Sequence, residues 1–365
     1  MATLQTTTFN DTGSVTMPVG TTGQRPGTPV IGMMRYNTTM NLLEWYSGAV
    51  WQPITGFSQG TIGTGGDNIS YRNGGIVHRF TTVGSSTFTP AFTGTVQVMV
   101  VAGGGAGAGS HGGGGGAGGV QFNRAFPVTA GTPYPVTVGT PGLGQPYGAF
   151  GQPGGNSVFS SITSTGGGGG GPWDNAGQAG SGGSGGGAGS SSNDGNRFVV
   201  LAGFGTTGQG FPGGSGRRFN RQGDNQHGSG GGGGAGGPGK DCSDHRYEHW
   251  AQDGGPGIAT DMLGDVLYFA GGGGAGPHHM PAGGGAGGVG GGGGGGCHHG
   301  SPLRPANPSF NQGLGGGRAL NDGQPAPSQT TGGNAGANTG GGGGGGNAAN
   351  SGQQIGGSGI VIIRY

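Results

Sequence analysis

The chain is poor in nearly everything an ordinary globular core is made from. Of its 365 residues only 29% are hydrophobic and 7% charged, against ~45–50% apolar in a typical soluble domain. The two or three conventional cores that such a length suggests therefore cannot be built. Two cysteines, Cys242 and Cys297, are too few for a disulfide framework. Only 22 prolines occur, and whole runs at 166–171 and 340–346 are glycine. That excludes collagen, which needs glycine strictly at every third position and abundant proline. No stretch approaches the ~18 consecutive apolar residues of a membrane span. The start, MATLQTTTFNDTGSVTM, has neither a basic end nor an apolar segment, so no secretory signal is expected, and first folding in a cytoplasm is. With 14 basic and 13 acidic residues the net charge is +1. This balance speaks against a nucleic-acid arm or a polybasic membrane surface, and it removes the repulsion that keeps many disordered chains open.

What is present is glycine, 108 residues of it. It falls in separate runs at 103–107, 112–119, 166–171, 182–189, 228–237, 271–276, 283–296 and 340–346, each followed by a segment rich in Trp, His, Arg, Asn or Pro. A flexible linker would be one Gly/Ser spacer between globular units; this is an array of similar rods with varied connectors. An extended left-handed helix of three residues per turn leaves its N–H and C=O groups pointing outward, and only glycine lets such backbones approach from all sides. Ordering a lone rod costs roughly 1–2 kcal/mol per residue, which lateral bonds of ~0.5–1.5 kcal/mol each would offset in a bundle. An eight-residue run would span roughly 25 Å. Strong β-branched strands are expected at GTVQVMVVAGG (94–104) and SGIVIIRY (358–365), pairing to close an apolar base, with shorter ones in TPYPVTVG (132–139) and NSVFSSITSTGG (156–167).

Four stretches carry a resemblance: VHRFTTVGSSTFTPAFTGTVQVMVVAGGG (77–105), AGTPYPVTVGTPG (130–142), GGNSVFSSITSTGGGGGG (154–171) and the terminal GGSGIVIIRY (356–365). In this order they resemble the glycine-rich domains of bacteriophage tail fibres and related virion proteins, over about 75–365. The resemblance implies a polyglycine-II sandwich beside a small β region, distal connectors that touch a host receptor, and a virion location. Residues 1–75 have a different texture. PGTPVIGMMRYNTTMNLLEWYSGAVWQPI (26–54) reads as short strands and turns, with Glu44, Tyr46 and Trp51 on a hairpin closed by SGA. It resembles a small module of phage structural proteins, frequent in phages of marine cyanobacteria, on the strength of Arg35, Tyr36, Asn37, Glu44, Tyr46 and Trp51. The resemblance implies an attachment or trimerisation module. So little core also leads one to expect a partner surface.

The expected fold is thus mainly β and irregular: a small N-terminal β module at 1–75, then at 76–365 a bundle of polyglycine-II helices with a small β base. Loops on a rigid scaffold are where binding usually sits, and aromatic and Arg residues are the common anchors. Trp173, Arg217, Arg218, Phe219, Tyr247, Trp250, His278 and His279 are the expected receptor contacts, to a surface glycan or an outer-membrane protein. In KDCSDHRYEHW, Cys242, His245 and His249 have C-x2-H-x3-H spacing, which Cys297, His298 and His299, with His278 and His279, could join in space. A structural transition metal such as zinc, a Cys242–Cys297 disulfide, and plain polar loop chemistry all remain open. No cofactor is required. No P-loop lysine or H-E-x-x-H is present. G-x-G-x-x-G matches carry no meaning in polyglycine, and Asp224, Asp241, Asp244 and Glu248 are the nearest carboxylates for glycan cleavage. The reading is a non-enzymatic adhesin, made in the host cytoplasm and acting outside it, trimeric through its N-terminal module and joined to other tail proteins. It contacts no nucleic acid and inserts in no membrane. The alternative is a purely structural virion protein whose loops bind other virion chains.

Overall fold

The computed structural model describes residues 16–40, 42–54, 62–72, 75–173, 177–190, 199–221, 224–242, 252–276, 283–296, 314–328, 331–346 and 354–365. The chain divides into two compact units, Met1–Ile62 and Gly63–Tyr365. The first holds β1 (Val19–Gly20), β2 (Met34–Asn37), β3 (Leu42–Tyr46) and β4 (Trp51–Pro53) in that order in one sheet. β1 runs parallel to β2, and the other neighbours are antiparallel. The β3–β4 hairpin closes where the Ser47 N–H and hydroxyl both donate to the Val50 carbonyl, at 3.1 and 2.9 Å. Gly48 there has φ +101°, a conformation that only glycine takes freely.

In the second unit, β5 (Asn68–Arg72), β6 (Gly75–Phe80), β7 (Gly84–Phe88), β8 (Gly94–Val101), β9 (Val120–Val128), β10 (Tyr134–Val138), β11 (Ser157–Phe159) and β12 (Ile162–Ser164) come before most of the glycine runs. Then come β13 (Val199–Val200), β14 (Gly216–Arg221) and β15 (Asp224–Gly228), forming one sheet in that order, and the pair β16 (Ile258–Thr260) and β17 (Leu267–Phe269). The last is β18 (Ile360–Arg364). The main sheet has the order β5-β6-β18-β8-β9, so the final strand lies at its centre and puts Ile362 opposite both Arg79 and Met99. The pairing expected between 94–104 and 358–365 is therefore present. The composition changes near 75, but β5, ahead of that point, pairs with β6.

Both faces of this sheet are covered, which explains why VMVV and IVII are continuous apolar runs rather than alternating ones. On one face Phe80, Val96, Val98, Val100, Val361 and Ile363 pack with Phe88, Val136, Val138 and Phe159 of the sheet β12-β11-β10-β7. On the other, Val77, Met99, Val101, Ile360 and Ile362 pack with Met262, Phe269 and the glycine-run alanines Ala117, Ala235 and Ala270. Each such side chain contributes ~1.5–3 kcal/mol when fully buried.

The expected bundle of polyglycine-II helices on a small β base is corrected by this architecture. Among the described residues, regular secondary structure is strand, gathered in several antiparallel sheets, and the only helix is the three-residue 3-10 turn Thr22–Gln24. The fold class is essentially all β. The physical reason is that the β-branched segments are long enough to carry both apolar cores, so the sheets are the framework rather than a base. The glycine runs are irregular extended segments tied to that framework laterally. Along 112–119, the N–H groups of Gly112, Gly115 and Gly118 donate to Gly346, Gly343 and Gly340; those of Gly113, Gly116 and Gly119 to Gly171, Gly168 and Thr165; those of Gly114 and Ala117 to Gly230 and Gly233. Three neighbours are thus addressed in rotation, and nearly every backbone donor is satisfied without a side chain, as a buried backbone requires.

Candidate functional site at the loop-bearing end of the glycine array

The glycine array has two unlike ends. Near the strands, connections are tight turns. Thr206–Gln209 is closed by the Gln209 N–H donating to Thr206 O at 3.0 Å, and its Gln209 side chain accepts from Thr165 N at 2.7 Å. The turn through Val289 has φ +99° and +90° at Gly290 and Gly291, packed on Phe269 and Thr339. Asn338–Gly340 turns against Val101.

The opposite end is marked by the turn that joins the first two runs, where Ser110 and His111 have φ 61° and 52°. Bonds to this turn gather other runs beside it. Trp173 N donates to Ser110 O at 2.9 Å, Ser229 Oγ to His111 O at 2.5 Å, Gly346 N to Ala108 O at 3.0 Å, and Gly276 N to Gly112 O at 3.0 Å. One step further out, Gly296 N donates to Gly345 O, Gly230 N to Ala188 O, Ala275 N to Gln252 O, and Cys242 N to Ser215 O. The described residues preceding 174–176, 191–198, 243–251, 277–282, 297–313 and 347–353 all lie at this end. These connectors therefore leave from the end away from the main sheet, the end that also carries the β14–β15 hairpin.

Of the expected receptor contacts, Trp173 and Arg217 are half-buried at this end. The Trp173 ring meets His111 edge-on, centroids 5.6 Å apart at 81°. Arg217 pairs with Gly228 at the start of the β14–β15 hairpin, and Arg218 and Phe219 stand opposite His227 and Gln226 along it. Tyr247, Trp250, His278 and His279 lie outside the described residues. So do His245, His249, Cys297, His298 and His299 of the expected metal set. Cys242 is buried at the same end. Among the described residues no group of three or more His, Cys, Asp or Glu is placed to hold a metal. Of the four carboxylates considered for glycan cleavage, Asp241 accepts from Ser215 N at 2.6 Å, Asp224 opens β15, and Asp244 and Glu248 lie outside the described residues. Sequence reading missed the Ser110–His111 turn; its signal was the one bulky interruption between two otherwise glycine-and-alanine runs.

The amino-terminal unit brings Arg35, Asn37 and Glu44 of its signature together. Alternation along β2 puts Arg35 and Asn37 on one face, and register puts Glu44 beside them. Glu44 takes hydrogen bonds from Arg25 at 2.5 Å and Asn37 at 3.0 Å, with Arg35 Nε at 3.6 Å. The Arg25 bond holds its carboxyl below the ordinary range, against the opposing effect of burial, and Asn37 and the two guanidinium charges add to the lowering. Arg25 also sits 6.0 Å from the Trp51 ring centroid, a cation–π distance.

A family model described as a glycine-rich domain matches residues 81–365. No curated protein matches the chain.

Proposed function

The chain belongs to the glycine-rich domain family, and from that premise, with the resemblance of its four anchor stretches to phage tail-fibre domains, we propose that it is a bacteriophage tail-fibre or fibre-tip adhesin. It attaches non-covalently to a glycan or outer-membrane protein of a bacterial surface, and does no chemistry there. The observation that carries the reading is the asymmetry of the array: at the sheet end the connections are tight turns or strands packed on the core, while the described residues that precede 174–176, 191–198, 243–251, 277–282, 297–313 and 347–353 all lie at the Ser110–His111 end. A backbone-bonded scaffold that directs its variable segments one way is suited to recognition. The amino-terminal unit would join copies of the chain into a trimer and hold them to other tail proteins, with the virion as the site of action. No helix among the described residues is long and apolar enough to cross a membrane.

The test is binding of the labelled chain to a panel of intact bacteria, beside a variant with 241–250 and 277–282 replaced by Gly/Ser. Strain-selective binding that is lost in the variant supports the adhesin and its loops. Selective binding retained by the variant keeps the adhesin and moves its contacts elsewhere. Absence of selective binding by folded protein across hosts of related phages counts against the adhesin.

A further inference from the structure

A cleft of about 320 Å³ opens at one end of the main sheet. β8 enters the first glycine run after Val101, and β18 leaves the last run before Ile360, so Thr95, Gln97, Arg364 and Tyr365 lie at the end away from the array. An irregularity in β9 shapes the cleft. Val96 pairs with Phe126 and Val98 with Asn123, so Arg124 and Ala125 both stand opposite Gln97. The Asn123 side chain takes the Ala125 N–H at 3.0 Å. Such a bulge re-aims a side chain at a sheet edge, and here Arg124 lines the cleft. Arg364 pairs with Gln97 from the other side, so Arg364, Gln97 and Arg124 form one row across three strands. Backbone carbonyls orient Arg364: its Nη1 donates to Asp261 O at 3.3 Å and its Nη2 to Arg72 O at 3.5 Å. Gly75 makes room for this, since a Cβ there would lie 3.2 Å from Arg364 Nε.

We propose that this cleft binds a hydroxylated oxyanion, the acidic unit of a saccharide. Charge selects an anion. The lining carries two guanidinium groups and no Asp or Glu. Counting an α-carboxylate at Tyr365, whose oxygen accepts from Ile76 N at 2.7 Å, it still holds one more positive charge than negative. A guanidinium matches a carboxylate or sulfate through paired N–H donors. Width selects more than a bare ion. β8 separates β18 from β9, which puts the Arg364 and Arg124 backbones roughly 10 Å apart. The Arg72 carbonyl draws Arg364 toward β5, on the far side from Arg124. A ligand that meets both needs a body between its polar ends. Thr95 and Gln97 also line the cleft, and each can donate and accept, which suits hydroxyl groups. Val96 is the one aliphatic side chain of the lining, so a sugar fits better than an aromatic acid. The volume lies at the lower end of the ~300–1,000 Å³ of small-molecule sites. The cleft stands apart from the Ser110–His111 end and does not depend on the adhesin reading.

The experiment is calorimetric titration of the full chain with glucuronate, glucose sulfate and glucose at about 20 mM salt. Arg124→Gln is titrated alongside, with the control Lys240→Gln, which removes the same charge from an exposed side chain elsewhere in the unit. At least one acidic sugar is expected to bind roughly tenfold or more tighter than glucose, as a charge-assisted bond implies. Arg124→Gln should lose about that factor and the control should keep it. Raising the salt to about 500 mM should weaken binding by screening. The tighter of the two acidic sugars names the group, carboxylate or sulfate. Should Arg124→Gln alter the far-UV circular dichroism, Thr95→Ala and the salt dependence carry the same test. Acidic sugars that bind no better than glucose overturn the proposal, and so does binding that Arg124→Gln and high salt leave intact.

Discussion

Replacing Gly115 by alanine tests whether the glycine array holds by backbone contact. A Cβ there would lie 2.2 Å from the Gly105 carbonyl oxygen and 2.7 Å from the Ala106 carbonyl carbon. Neither neighbour is a side chain that can swing away, so a run must move. The bonds at stake are Gly115 N to Gly343 O at 2.8 Å, Gly273 N to Gly115 O at 2.9 Å, and Gly105 N to Gly116 O at 2.9 Å. Overpacking costs ~1–3 kcal/mol, and each weakened bond gives up part of ~0.5–1.5 kcal/mol. Alanine returns only ~0.4–1 kcal/mol by restricting the unfolded chain. The balance is a loss of roughly 2–4 kcal/mol, or about 3–6 °C in Tm for a unit of this size. Gly317→Ala is the matched control: its Cβ would meet only the Asp322 carboxylate oxygens at 3.9 Å, and it is expected to melt at or slightly above the parent temperature. Scanning calorimetry of both variants decides the matter. Should Gly115→Ala melt with the parent, the runs are not packed backbone to backbone, and the account of why glycine is needed fails.

Glu44→Gln should loosen the amino-terminal unit by roughly 2–3 kcal/mol, less than the ~3–5 of a fully buried pair because Arg25 reaches water; faster amide exchange in β2 and β3, with β8 and β18 unchanged, is the readout. His78 Nδ1 donates to Gly65 O at 2.7 Å, and its Nε2 accepts from the Tyr365 hydroxyl at 3.0 Å. Burial lowers its pKa, with the Gly65 bond opposing. The unfolded chain therefore takes up a proton below about pH 6.5 that the folded one resists, and stability falls as pH drops below that point. His78→Gln should flatten this part of a Tm-against-pH curve. Burial raises the Asp67 pKa, but bonds from the backbone and hydroxyls of Thr81 and Thr82 outweigh it and bring it to about 2. Its contribution is present above the ordinary value of 3.8 and is lost as pH falls through about 2, so Asp67→Asn should lower Tm at pH 6 and converge on the parent near pH 2.

The strands were legible because their side chains carry a pattern. VMVV and IVII announce two-sided burial, and Arg35, Asn37 and Glu44 with Trp51 announce a turn-linked hairpin. β5 was not legible: at the sheet edge, NISYR needs no apolar alternation, and it reads like the Thr- and Asn-rich stretch before it. The architecture of the glycine runs was the larger failure. A residue without a side chain leaves no periodicity, so no sequence pattern distinguishes helix, strand or extended segment, and the helical bundle was inferred from what glycine permits rather than from what these runs specify. The alternation of run and connector was legible; that Trp173, Arg217 and Cys242 gather at one end is seen only in the structure. Which bulky residue would line that end was not legible, because His111 sits in a two-residue turn too short to look like a connector.

That end also follows from the bonding itself. A run whose N–H groups address three neighbours in rotation has no side on which a bulky side chain fits, and its few alanines, such as Ala106 and Ala117, are fully buried. Bulk and charge are therefore confined to the places where runs stop. Successive runs join at alternate ends, and one of those ends is taken by the main sheet, whose Val77, Met99, Val101, Ile360 and Ile362 meet the array directly. Insertions there would have to breach an apolar core. Longer segments that leave no strand pairing behind are therefore favoured at the Ser110–His111 end, whereas the 258–269 connector at the other end is held as the β16–β17 hairpin against the core. Any such long segment that this chain uses to recognise another molecule through its glycine-rich unit is thereby sorted to one face by packing alone, before selection for a particular receptor acts on it.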